Sequence, residues 1–311
     1  MTSVTVLRRG EAVLLAHALV ANVAESTGVR YLFVKGPTLN EMDLRPARSS
    51  SDVDVLVDPR NRDQLVASLK SLGWSERDTD HVARILPMHA VHLIHENWPC
   101  DIDVHFQFPG CFGEDLAVFN ELWRLRTSVQ IAGRRVSAPN RVGSALIASL
   151  HALRDPRVDR NSRELEYLEE KVRSDFTIAE IDAILVLATN LRSLESSAPF
   201  LRKIGLGARI KQDLNASERR LWAMRISDDS RSLGWLLQIR NAPWNRKLRV
   251  SINALNPPSD VLRREHPESV ARSMLSLRMN RLLHGIRALP KALVAYWIYM
   301  REAHRRLDGD R

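Results

Sequence analysis

Ser51-Asp52-Val53-Asp54-Val55-Leu56-Val57 alternates acidic and apolar residues at a period of two, the mark of a half-buried strand. Side chains at i and i+2 share one face of a strand, which sets Asp52 and Asp54 side by side. Two bare carboxylates held that close repel strongly in a partly dehydrated cleft. A divalent cation between them removes that cost. Mg²⁺ accepts one or two protein carboxylates and takes its other ligands from water and substrate phosphates. A second run, Asp101-Ile102-Asp103-Val104-His105-Phe106, repeats the pattern. Asp103 on that strand is the expected third ligand, completing a two-metal site for in-line phosphoryl or nucleotidyl transfer.

An alternating acidic strand can also be a plain solvated face. The segment upstream weighs against that reading here. Tyr31-Leu32-Phe33-Val34 reads as a short buried strand that runs straight into Lys35-Gly36-Pro37-Thr38. Gly36 lets the backbone turn tightly and approach a ligand, and the exposed amides of such a turn can cradle phosphate.

These residues carry a resemblance. Val34-Lys35-Gly36, followed by Arg48-Ser49-Ser50-Ser51-Asp52-Val53-Asp54-Val55-Leu56-Val57, resembles the start of bacterial nucleotidyltransferases of the polymerase-beta superfamily. More narrowly, it is similar to a subfamily with a Lys-Gly turn and an Asp-x-Asp strand. Asp103-Val104-His105-Phe106 is similar to that subfamily's later Glu-Leu-His-Trp strand, with Asp replacing Glu. Asn256-Pro257-Pro258-Ser259-Asp260-Val261-Leu262-Arg263-Arg264-Glu265-His266-Pro267 resembles its C-terminal element. Two departures stand out. The superfamily usually has Gly-Ser at the turn, whereas Pro37 follows Gly36 and Thr38 is the nearest hydroxyl. The spacing from Gly36 to Asp52 is also longer than in minimal members.

Composition fits an enzyme of about two domains. The 311 residues are 44% hydrophobic and 27% charged, ordinary for a globular chain. No apolar run reaches the ~18 residues of a membrane span. The N-terminus lacks the order of a signal peptide, and Cys100 and Cys111 are too few for a disulfide framework. The expected compartment is the cytoplasm. The net charge of +9 draws partly on basic segments at 240–249 and 301–311. These read either as solvated helix faces or as a surface that attracts nucleic acid or nucleotide. No RNA-recognition or helix-turn-helix signature accompanies them.

Along the chain, an amphipathic helix at 11–26 precedes the strand at 31–34 and a short helix near 38–43. The acidic strand 52–57 is followed by a helix from Pro59 to about Gly73. Strands are expected at about 82–94 and 100–108, with a turn at 96–99. A helix at 114–125 and a short β segment at 129–136, broken by Gly133, come next. Beyond Asn140 the periodicity is helical, at roughly 140–153, 162–173, 177–190, 229–240, 268–287 and 290–305. His81, His89, His92, His95, His105 and Cys100 cluster in sequence. On a strand, however, His89 and His92 face opposite sides, as do His92 and His95, which argues against a tetrahedral zinc site.

The expected fold is α+β: a polymerase-beta-like mixed sheet with flanking helices in a catalytic domain at 1–138, and an all-helical acceptor-binding domain at 139–311. Asp52, Asp54 and Asp103 are the expected catalytic residues and metal ligands for Mg²⁺, or Mn²⁺ in its place. Asp103 serves as ligand, general base or both. Lys35, Gly36, Arg48 and Ser51 are expected to contact the phosphates of an NTP such as ATP. Arg48 has the alternative of pairing with the acidic strand. On the acceptor side stand His105, which shares a face with Asp103 and could orient a metal ligand, His151 in the apolar helix 145–153, and Arg240. Three functions follow. The leading one is NMP transfer to a hydroxyl of a small molecule or peptide, with release of pyrophosphate. The others are a toxin that modifies RNA and an inactive relative that only binds nucleotide. Asp54→Asn is expected to remove metal-dependent nucleotide binding and, by relieving repulsion, to leave the melting temperature unchanged or raised.

Overall fold

A computed structural model describes residues 7–77, 88–155, 158–226, 239–240, 242–255 and separate positions between 273 and 293. The described residues fall into two compact units, one reaching to Trp222 and the other made of those beyond it. The expected element at 256–267, His81, and most of the helices expected at 229–240, 268–287 and 290–305 lie outside the described residues.

In the first unit, helix α1 (Arg9–Ser26) leads into β1 (Tyr31–Phe33), α2 (Pro37–Glu41) and β2 (Asp52–Val57). Helix α3 (Arg62–Ser71) precedes β3 (Ser75–Glu76), β4 (Ala90–Ile94) and β5 (Asp101–His105). These strands form one five-stranded sheet in the order β1-β2-β5-β4-β3. Only β2 and β5 pair in parallel; the other neighbours are antiparallel, so the sheet is mixed. The period of two divides each central strand. Val53, Val55 and Val57 of β2 and Ile102 and Val104 of β5 join a core with Ala16 and Val20 of α1 and with Leu65 and Leu69 of α3. The opposite face receives Asp52, Asp54, Asp101, Asp103 and His105.

Helix α4 (Asp115–Arg124) is followed by a hairpin, β6 (Arg126–Ile131) and β7 (Arg134–Pro139). The hairpin turns at Ala132 and Gly133, both with positive φ, which is why the expected β segment breaks there. Its Val129, Ile131, Val136 and Ala138 extend the core. The chain changes from strand to helix at 139–141. Helices α5 (Arg141–Leu153), α6 (Asp159–Asp175), α7 (Ile178–Asn190) and α8 (Ala198–Lys203) follow and belong to the same compact unit as the sheet. Asn140 caps α5, its Oδ1 accepting from the Gly143 amide at 3.1 Å. Helix α9 (Ala216–Ile226) ends this series, and α10 (Trp244–Leu255) lies in the second unit. Among the described residues, no helix is long and apolar enough to cross a membrane.

Candidate active site

Parallel pairing of β2 with β5 sets Asp52 beside Asp101 and Asp54 beside Asp103. Four carboxylates therefore stand on one face of two adjacent strands. Each neighbourhood treats its acid differently. Asp101 pairs with Arg77. Asp103 Oδ1 accepts from Nδ1 of His92 at 2.7 Å, since the antiparallel β4 sets His92 opposite it. Asp54, 6% exposed, pairs through Oδ1 with Lys35 Nζ and with Nε2 of His105 at 2.8 Å. Burial pushes the Asp54 carboxyl up, but Lys35 and His105 outweigh it and hold the group well below the usual carboxylate range. Among the described residues, the hydrogen bond to Asp52 comes from the Ser51 hydroxyl, at 3.2 Å. Burial first, then the charges of Asp54 and Asp103, push its pKa up to about 6.

Among the described residues, Asp54, Asp103 and His105 form the grouping whose ligand atoms lie within 4.8 Å of one another. The donor chemistry fits a hard cation. Carboxylate oxygens suit Mg²⁺ or Mn²⁺, and the histidine of the grouping, His105, has its Nε2 occupied by Asp54. Burial first lowers the pKa of His105, against the raising effect of Asp54.

The turn ahead of this face is built around Gly36, at φ 67° and ψ −133°, which L side chains rarely adopt. A Cβ there would meet Ser50 Oγ at 3.1 Å and His17 Nε2 at 3.9 Å. Thr38 Oγ1 closes the turn on the Lys35 carbonyl at 3.0 Å. The long spacing from Gly36 to Asp52 is taken up by α2 and a loop tied together by Arg45. Its guanidinium donates to Asn40 Oδ1 at 2.6 Å and to both the Arg48 carbonyl and Ser50 Oγ at 3.0 Å. His17, fully buried on α1, donates from Nδ1 to the Val13 carbonyl at 2.7 Å. Among the described residues, its Nε2 has no partner.

The structure gathers most of the residues expected from sequence. Asp52, Asp54, Asp103, Lys35, Gly36 and Ser51 stand at one end of β2 and β5. Arg48 turns away from the acidic strand and pairs with Glu164 of α6. His105 sits beneath Asp54, 2% exposed, a supporting position rather than one that meets an acceptor. His151 on α5 has a buried Nδ1 with no partner. Burial first, then Lys35 and Arg154, hold its pKa well below the ordinary histidine value. Arg240 lies in the second unit, ahead of α10. Four residues escaped the sequence reading: His17, Arg45, His92 and Arg154. Arg154, at the end of α5, feels the charges of Asp54 and Asp103. Only His92 left a usable signal, a histidine on a strand expected beside the acidic one.

Residues 3–170, more than half of the chain, match the model of a family described as uncharacterised nucleotidyltransferase. The chain belongs to this family. Nucleotidyl transfer is thus the class of chemistry of this chain. No curated protein matches the sequence. Among solved structures, the antibiotic-resistance factor ANT(2'')-Ia is similar at 14% identity over 60% of this chain and 94% of that one, with a TM-score of 0.39. The lincomycin-bound lincosamide antibiotic adenylyltransferase LnuA is similar at 16% identity over 58% and 95%, with a TM-score of 0.29. A tRNA nucleotidyltransferase complexed with a primer tRNA and an ATP analog gives 14% over 92% and 98%, with a TM-score of 0.27.

Proposed function

We propose that this nucleotidyltransferase is Mg²⁺-dependent and moves an NMP from an NTP to a hydroxyl of a small molecule or peptide. The acceptor oxygen bonds to the α-phosphorus, the bond to the bridging oxygen breaks, and pyrophosphate leaves. Asp52, Asp54 and Asp103 would hold the metal. Bound there, Mg²⁺ would supply charge neutralisation for the triphosphate and for the developing charge on the α-phosphate. Lys35, the Gly36 amide and Ser51 are the proposed phosphate contacts, with Arg48 shared between phosphate and Glu164. Asp103, whose Oδ1 accepts from His92, is the proposed metal ligand, general base or both. Residues 139–311 are the proposed acceptor side, with His151 as a polar group offered to it.

The observation that carries this reading is the acid at Asp52, for which burial and two acidic neighbours outweigh Lys35 and Ser51. A relative that had lost its chemistry would gain stability by losing that charge, because burial and two like charges oppose its ionisation. Retention of all three acids favours an active metal site over an idle one. Calorimetry tests it. Mg²⁺ or Mn²⁺ should raise the affinity for a non-hydrolysable ATP analogue in the wild type and have no such effect in Asp54→Asn. Mass spectrometry of products formed from Mg²⁺, mixed NTPs and a cell extract would identify the acceptor. Micromolar binding of one folded RNA that survives 200 mM salt, where multi-phosphate contacts weaken by about 10³-fold or more, would move the acceptor to RNA.

A further inference from the structure

His92 and His105 each contact one of the proposed metal ligands, but through opposite ring nitrogens. His92 uses Nδ1, 2.7 Å from Asp103 Oδ1. His105 uses Nε2, 2.8 Å from Asp54 Oδ1. The strand register explains the difference. His92 lies directly opposite Asp103 on the antiparallel neighbour, so its near nitrogen suffices. His105 is level with Leu56, two residues beyond Asp54 on the parallel neighbour, and reaches diagonally with its far nitrogen. An ionised carboxylate only accepts hydrogen bonds, so the proton in each contact belongs to the histidine. In His105 this leaves Nδ1 bare, and that atom is buried without a partner. The remaining contacts complete a pattern. Asp52 Oδ1 meets the Ser51 hydroxyl, and Asp54 Oδ1 also meets Lys35. Among the described residues, the hydrogen bonds to Asp52, Asp54 and Asp103 all fall on Oδ1 and none on Oδ2.

We propose that His92 and His105 are positioning residues, each anchoring one oxygen of Asp103 or Asp54 so that the other is presented to the metal. The inference rests on the metal reading above and adds how the ligands are held. Hydrogen-bonded partners of metal ligands orient them, and losing one typically costs about 10–100-fold in metal affinity. A merely structural histidine would tolerate any replacement that packs. A positioning histidine demands a donor at the right atom. The amide nitrogen of Asn stands as many bonds from Cα as Nδ1 of His, and that of Gln as many as Nε2.

The two sites should therefore show crossed rescue. The readout is binding of Mn²⁺ in the presence of an α,β-methylene ATP analogue, followed by electron paramagnetic resonance of free Mn²⁺. His92→Ala should weaken Mn²⁺ about 10–100-fold; His92→Asn should restore most of the loss, and His92→Gln should not. At His105 the order reverses, with His105→Gln active in binding and His105→Asn deficient. His105 is buried, so its variants are compared only where thermal melting shows a folded protein; otherwise the half-exposed His92 series decides alone. Equal binding by His92→Asn and His92→Gln, or wild-type binding by His92→Ala, overturns the inference. Asp54→Asn separates this failure from that of the underlying reading. If it loses Mn²⁺ while the His92 series shows no order, positioning alone is wrong. If it binds Mn²⁺ like the parent, the metal site itself is wrong.

Discussion

Asp54 and Asp58 lie four residues apart on one strand and its extension, both buried, yet their surroundings differ in kind. Asp58 has both oxygens filled. Oδ1 accepts from the amide and Nε of Arg60 at 3.1 Å. Oδ2 accepts from Arg30 Nη2 at 2.6 Å and Arg60 Nη2 at 2.8 Å. Hydrogen bonds from Arg60 first hold its carboxyl far below the usual range. At the other end of β2, Asp52, Asp54 and Asp103 are each contacted through Oδ1, and among the described residues no hydrogen bond fills the second oxygen. Burial first, then repulsion from Asp54 and Asp103, raises the pKa of Asp52. A carboxylate kept for the fold is saturated by fixed cations. A cluster left half-saturated, with like charges in contact, costs stability and so points to a ligand outside the chain.

The comparison can be broken by substitution, beginning with the largest effect. Asp54→Asn should lower single-turnover nucleotidyl transfer by more than the roughly 100-fold expected from losing an outer partner of a metal ligand. It should also lower the melting temperature, because it strands the buried Lys35; breaking a buried pair costs about 3–5 kcal/mol. The sequence alone suggested an unchanged or higher melting temperature, but the relief of repulsion belongs to Asp52, where burial, Asp54 and Asp103 outweigh the charge of Lys35. Asp58→Ala should cost about 3 kcal/mol, the low end for a buried pair because Arg30 and Arg60 reach water. Its transfer rate per folded molecule, measured by active-site titration, should stay at the wild-type level. Gly36→Ala forces a side chain into a positive-φ turn against Ser50, about 1–3 kcal/mol of strain, and should raise KM for the NTP more than it lowers kcat.

The smallest effect is a pH dependence in metal-free protein. The Asp52 carboxyl moves from an ordinary 3.8 to about 6 on folding, so between those values the folded state binds more protons than the unfolded one. Stability is therefore highest below pH 4 for this group and is lost as pH rises through 6. At about 1.4 kcal/mol per pKa unit the loss is about 1–3 kcal/mol, read by chemical denaturation with EDTA present.

Much of this site was legible because its signal is local. Alternation in 52–57 and 101–105 gives both strands and their acidic faces, and Gly36 after a buried strand gives the turn. What sequence did not give is register. That Asp54 sits beside Asp103, and His92 opposite it, depends on a parallel pairing and an antiparallel one that no short window encodes. Arg48 shows the same limit, since its partner Glu164 lies 116 residues away. His17 is one histidine on a buried helix stripe until the fold brings Gly36 over it. Among the helices, α5 and α7 followed their apolar periodicity. Helix α9, with Ser217, Glu218, Arg219 and Arg220 in its first turns, has little periodicity to read.

Asp52→Asn offers the most direct measurement, because it separates what the carboxylate face does for the fold from what it does for a ligand. Denaturation at pH 7 with EDTA and Mn²⁺ binding with the α,β-methylene ATP analogue would be read on the same preparation. A half-saturated cluster kept for a metal predicts opposite signs: a more stable protein, by about 1–3 kcal/mol, that binds Mn²⁺ more weakly than the parent. A variant that is less stable than the parent, or one that binds Mn²⁺ equally well, would contradict the account.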